Sequence, residues 1–188
     1  MDEVKEITVL VDVSYEKLHN ILLSKGFSIK LTGIIQDIYM LPKGINYKDY
    51  DYLALSKYFV IVRDWKNHKK ILLYKSKEYD DVGNIIKEKK TECPIENLEC
   101  GIDFMHSIGY YNFITVCDDF ITYTNDDIEL CVQRVNDKYV FIEYEGFNGE
   151  DISYLKEKLD SLNLPYDKSN YFMKKAELVM KDGYNNEG

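Results

Sequence analysis

Two glutamates stand two residues apart in the stretch Phe141-Ile142-Glu143-Tyr144-Glu145. Side chains alternate between faces in an extended chain, so Glu143 and Glu145 point the same way. Two carboxylates on one face can hold a hard divalent cation such as Mg²⁺ or Mn²⁺, with waters completing the octahedron. The plainer reading is the solvent face of an ordinary strand with Val140 and Ile142 in the core, and alternation by itself favours it.

The other residue types that do chemistry offer less. Cys93, Cys100, Cys117 and Cys131 form no C-x-x-C pair, so neither a zinc knuckle nor a redox motif is suggested, and the expectation is four buried free thiols. His19, His68 and His106 are scattered without ligand spacing. A formal net charge of −9 repels nucleic acid and anionic membrane, so neither is an expected partner. The apolar stretch Ile7 to Val13 is too short to span a bilayer and lacks the basic flank of a signal peptide, which points to the cytoplasm. The sequence carries no signal of oligomeric state.

The elements that must position these residues follow from periodicity. Glu6 to Val13 alternates as a strand; Ser14 caps a helix that Gly26 ends. Phe27 to Leu41 and Leu53 to Arg63 are expected as strands, with a turn over Trp65 to Lys70 and a returning strand at Ile71 to Lys75. The order then repeats: a strand at Asn84 to Lys90, a helix from Pro94 to Ser107, and strands at Tyr110 to Val116 and Asp119 to Thr124. A hairpin follows, Ile128 to Val135 and Lys138 to Glu145, around Asn136-Asp137. Ser24-Lys25-Gly26-Phe27 is echoed by Ser107-Ile108-Gly109-Tyr110 at the same place in each half, which supports an internal duplication. A helix at Asp151 to Leu162 and a segment at Tyr171 to Met180 close the chain. With 188 residues and no Pro-, Gly- or Ser-rich linker, one domain over 1–181 with a disordered tail at 182–188 is expected.

Two strand-helix-strands repeats with C-terminal helices resemble the CYTH, or triphosphate tunnel, superfamily, which includes class IV adenylate cyclases, thiamine triphosphatases and inorganic triphosphatases. The family's opening Glu-x-Glu-x-Lys matches Glu6-Ile7-Thr8-Val9-Leu10 only at Glu6. Its Gln-x-Asp-x-Tyr strand is loosely met by Gln36-Asp37-Ile38-Tyr39. Its Arg-x-Arg strand falls on Val60-Ile61-Val62, and its returning lysine on Lys75. Its Lys-x-Arg falls on Asp118-Asp119-Phe120, and a later tunnel aspartate on Gln133. The final Glu-x-Glu is intact as Glu143 and Glu145.

The resemblance implies an α+β fold: a closed eight-stranded antiparallel β-barrel with flanking helices, built from two strand-helix-strands repeats. It also implies a site, with Glu6, Glu143 and Glu145 holding Mg²⁺ or Mn²⁺ and Lys75 binding the substrate, a triphosphate-containing small molecule. The lost Arg and Lys make the site partly degenerate, because several phosphate charges need clustered cations. Weak or lost adenylate cyclase or triphosphatase activity is the first expectation. The alternative is a non-catalytic tunnel module for a less charged ligand, its lumen refilled by Leu10, Val60, Val62 and the many tyrosines, or an interaction protein. Arg63 and Arg134 are expected on the wrong side of their strands to serve the site.

Overall fold

The computed structural model describes residues 5–79, 85–125, 127–146 and 150–185. The first repeat runs β1 (Glu6–Leu10), α1 (Tyr15–Ser24), β2 (Ser28–Pro42), α2 (Tyr52–Ser56), β3 (Val60–Trp65) and β4 (Lys69–Tyr79). The second runs β5 (Ile85–Pro94), α3 (Leu98–Ser107), β6 (Tyr110–Thr124), β7 (Glu129–Val135) and β8 (Tyr139–Glu145); α4 (Ile152–Ser161) and α5 (Lys175–Asn185) follow.

Local chemistry sets these boundaries. The Ser14 side chain accepts from the Lys17 N–H at the start of α1, and Gly26, at φ 85°, turns the chain out of it. Gly109, at φ 93°, does the same after α3, so the sequence echo marks two equivalent left-handed exits. Asn136 and Asp137 have φ of 49° and 55°, the paired positive values of a tight hairpin turn whose twist matches its strands.

Two expectations about elements need correction. Leu53 to Ser56 is helix, not strand: Asp51 caps α2 by accepting from the Ala54 N–H at 2.8 Å. The two strands expected between Tyr110 and Thr124 are one 15-residue strand, equal in length to β2. Asn84 and residues 186–188 lie outside the described residues, while 182–185 continue α5.

The eight strands form one sheet in the order β1-β8-β7-β6-β2-β3-β4-β5, and the ladders β1–β8, β8–β7, β7–β6, β2–β3, β3–β4 and β4–β5 are antiparallel. The fold is therefore α+β, but the sheet is open where a closed barrel was expected, with β1 and β5 at its two ends. The outer edge of β1 is already occupied. Thr8 N–H donates to the Tyr171 carbonyl and its carbonyl accepts from the Met173 N–H, while Asp12 and Leu10 bond Pro165 and Asp167 in the same way. This segment, 165–173, meets backbone groups that a bare strand edge leaves unsatisfied.

The chain divides into two compact units, Met1–Ile34 with Asp118–Lys174, and Ile35–Cys117 with Lys175–Gly188. In the first, Ile7, Val9, Leu130, Val132 and Ile142 pack against Leu18 and Leu22 of α1 and Leu155 and Leu159 of α4. Burying each such side chain contributes about 1.5–3 kcal/mol. In the second, Ile38, Met40 and Val62 pack against Ile102 and Met105 of α3. The four cysteines are free, but Cys93, Cys100 and Cys117 are exposed and Cys131 half-buried, so the expected burial does not hold. No helix of the described residues is long and apolar enough to cross a membrane.

Candidate functional site

In the first unit, β1 and β8 pair with Glu6 opposite Glu145 and Thr8 opposite Glu143. Alternation then puts Glu6, Thr8 and Leu10 on one face with Glu145, Glu143 and Phe141, while Ile7, Val9 and Ile142 turn to the helix-covered core. Glu6, Glu143 and Glu145 each bring one carboxylate oxygen within 4.8 Å of the others. Glu6 is exposed and its two partners are half-buried.

The surroundings orient this cluster. Thr8 Oγ1 donates to Glu6 Oε1 at 3.3 Å, and Gln133 Nε2 donates to Glu143 Oε2 at 3.3 Å. Gln133 is therefore a neutral donor to the cluster. Three carboxylates, one of them exposed, make an all-oxygen donor set, which suits Mg²⁺ or Mn²⁺ rather than a soft metal. Asp118 and Phe120 share this face, opposite Val135 and Gln133, so neither position supplies a cation.

Lys75 belongs to the second unit. Its face of β4 carries Leu73 and Lys77, and the register places it opposite Lys90 and Lys77 opposite Glu88. Glu88 is shared by three lysines: Lys77 Nζ at 3.2 Å, Lys90 Nζ at 3.4 Å and Lys75 Nζ at 3.7 Å. Burial opposes ionisation of Glu88, but the three ammonium groups overcome it and hold the carboxyl down at about 2. Lys75 also shifts down, but here the charged form is the one disfavoured: burial first, then repulsion from Lys77, Lys90 and Arg63, brings its ammonium down to about 8 despite Glu88.

The same register corrects the expected sides of β3. Ile61 stands opposite Leu73 and Arg63 opposite Ile71, so both share the Lys75 face. Val60 and Val62 point to the other side, into the α3 core, and do not refill the face that carries Lys75. Arg63 is held there by Asp37, Nε to Oδ1 at 2.6 Å and Nη2 to Oδ2 at 2.5 Å, a bidentate pair. On this face β3 therefore presents Ile61 and Arg63. Arg134, by contrast, lies on the helix-covered face as expected, paired with Asp119 and 5.4 Å from the centre of the Tyr15 ring.

A single lysine matched to a family motif does not point to Lys77, two residues along β4, or to Glu88 and Lys90, across the β4–β5 ladder. The signal was present in Lys75-Ser76-Lys77, which alternates as the glutamates do. The histidines have structural partners: His19 Nδ1 lies 2.6 Å from the Tyr123 hydroxyl, His106 bonds Asn112, and His68 stands edge-on to Trp65.

Neither a protein-family model nor a curated protein sequence matches the chain. Solved structures do. A Hippeastrum protein assigned as an adenylyl cyclase and described by a dominant triphosphatase activity is 14% identical with a TM-score of 0.66 and covers 97% of this chain and 96% of its own. A protein of Pyrococcus horikoshii OT3 is 14% identical with a TM-score of 0.67, covering 95% and 99%. A Vibrio parahaemolyticus protein assigned as an adenylate cyclase is 10% identical with a TM-score of 0.59, covering 90% and 95%. Likeness at these identities speaks to fold alone: this chain shares the fold of these proteins.

Proposed function

We propose that the chain binds a divalent cation through Glu6, Glu143 and Glu145 and acts on, or binds, a triphosphate-containing small molecule. The observation that supports this reading is the convergence of three carboxylate oxygens, from two strands far apart in sequence, within 4.8 Å. Mg²⁺ or Mn²⁺ held there would polarise phosphoryl oxygens and offset part of their charge. In the second unit, taken by itself, Lys75, Lys77 and Arg63 share one face and are cations of the kind that phosphate oxygens need. Turnover is weak beside that of fully equipped relatives, because Asp118 and Phe120 stand where the family has a lysine and an arginine.

The test is a thermal-shift titration with Mg²⁺ and Mn²⁺, with and without tripolyphosphate, followed by phosphate release from ATP, thiamine triphosphate and tripolyphosphate. Metal-dependent stabilisation that Glu143→Ala and Glu145→Ala both remove is the expected result, with slow phosphate release lost in the same variants. Wild-type protein whose melting temperature ignores both metals would refute the metal reading. The second reading, a non-catalytic module for a less charged ligand, is favoured by Phe141 and Phe120, both buried on the face of the glutamates. Metal binding without turnover would select it.

A further inference from the structure

We propose that Lys75 is a reactive amine at which small acyl donors, of the acyl phosphate class, modify the chain. The observation is a crowded amine beside a cavity. A cavity of about 20 Å³ is lined by the rings of Tyr39, Tyr52 and Phe59, by Ile61, and by Lys75 and Lys77. That volume holds about one water, which is room for a carbonyl group and too little for a ring.

The charges around the amine disfavour its protonated form. Among the described residues, Lys77, Lys90 and Arg63 crowd Lys75, and Glu88, which would hold the ammonium, is divided among three lysines. Burial pushes the phenols of Tyr52 and Tyr79 up, so they stay neutral and add no countercharge. A lysine desolvated against apolar groups and next to other cations is the setting in which an amine becomes a nucleophile near neutral pH. With its ammonium brought down to about 8 from 10.5, Lys75 carries roughly 300-fold more neutral amine at pH 7 than an ordinary lysine.

The step balances without a further reagent. The lone pair of neutral Nζ attacks the carbonyl carbon of the acyl phosphate and the N–C bond forms. The C–O bond to phosphate then breaks, phosphate leaves with the bonding pair, and the amine proton passes to water, leaving an amide. Lys77 and Lys90 are placed to attract the phosphate end of the donor. Glu6, Glu143 and Glu145 take no part, so the inference stands apart from the metal reading.

The experiment is acetylation of the whole chain by limiting acetyl phosphate across pH 6 to 11, with the rate at each lysine read by peptide mass spectrometry. Lys75 is expected to react about tenfold or more faster at pH 7.5 than exposed Lys25 and Lys43, with a rate that levels off near pH 8. Glu88→Gln moves that midpoint down, because it removes a carboxylate attraction that favours the ammonium, and the double variant Lys77→Gln, Lys90→Gln moves it up. A Lys75 midpoint near that of the exposed lysines, or a rate no greater than theirs, overturns the proposal.

Discussion

Glu88 and Lys75 share one neighbourhood and shift for opposite reasons. For Glu88 the folded carboxyl lies below its ordinary 4.5, at about 2, so its contribution to stability is present above about pH 4.5 and is lost as pH falls through about 2. For Lys75 the folded ammonium lies below its ordinary value, so the unfolded chain binds more protons between about pH 8 and 10.5, and stability from this group rises over that window. Glu88→Gln is therefore expected to flatten the fall in urea midpoint between about pH 4.5 and 2. If the wild type and variant lose stability in parallel over that range, Glu88 is not the group responsible. The acidic trio differs in kind: the β1–β8 register brings the carboxylates of Glu6, Glu143 and Glu145 together.

Two elements carry side chains whose replacement reports on packing. Gly101 lies in α3 where an added Cβ would stand 2.6 Å from Ile95 Cδ1 and 3.1 Å from Val62 Cγ1. Ile95 ends in a flexible methyl, and alanine gains helix propensity of about 0.8–1 kcal/mol, so Gly101→Ala is expected within about 1 kcal/mol of wild type. Gly101→Val adds two methyls against Val62 and Leu72 and is expected to lose about 2 kcal/mol by urea unfolding. The segment over the β1 edge is fastened differently. Tyr166 and Tyr171 both donate to Asp160 Oδ1 at the end of α4, and Lys168 reaches the same oxygen. Those phenol bonds hold the Asp160 carboxyl below its usual range. Asp160 is partly exposed, so Asp160→Ala is expected to cost about 1 kcal/mol. The informative readout is faster amide exchange at Thr8 and Asp12, whose N–H groups bond this segment; unchanged exchange there would mean that Asp160 does not fasten it.

At the scale of the whole molecule, exchanging the two repeats leaves the strand order unchanged: β1 takes the place of β5, β2 of β6, β3 of β7 and β4 of β8, and the list simply reverses. The compact units, however, do not coincide with the repeats. The first unit joins β1 and α1 of one repeat to β7 and β8 of the other, and the second takes β3 and β4 with β5 and α3. Neither repeat can complete its share of sheet alone, since β1 needs β8 and β4 needs β5. A fragment ending at Tyr79 is accordingly expected to show no cooperative thermal transition, while mixing it with the remainder of the chain restores one. A fragment that folds alone would show that the repeats are independent.

What the sequence determined by itself was local. Ser14 and Gly26 bound a helix, Asn136-Asp137 makes a turn, and Glu143 and Glu145 share a face, because each of these is settled by a few neighbouring residues and the period of the backbone. The α2 helix was equally local, and its signal was Asp51 ahead of Tyr52-Leu53-Ala54-Leu55. Tertiary structure decided the rest. Alternation says that Val60 and Val62 oppose Ile61 and Arg63, but only the packing of α3 on one side says which pair is buried in its core and which joins Lys75. Whether β1 closes a barrel depends on which distant segment reaches its free backbone groups, and residues 165–173 do so. The gathering of Glu88 with three lysines likewise follows from the register of two strands, a choice made by pairing across the sheet that no single stretch of chain spells out.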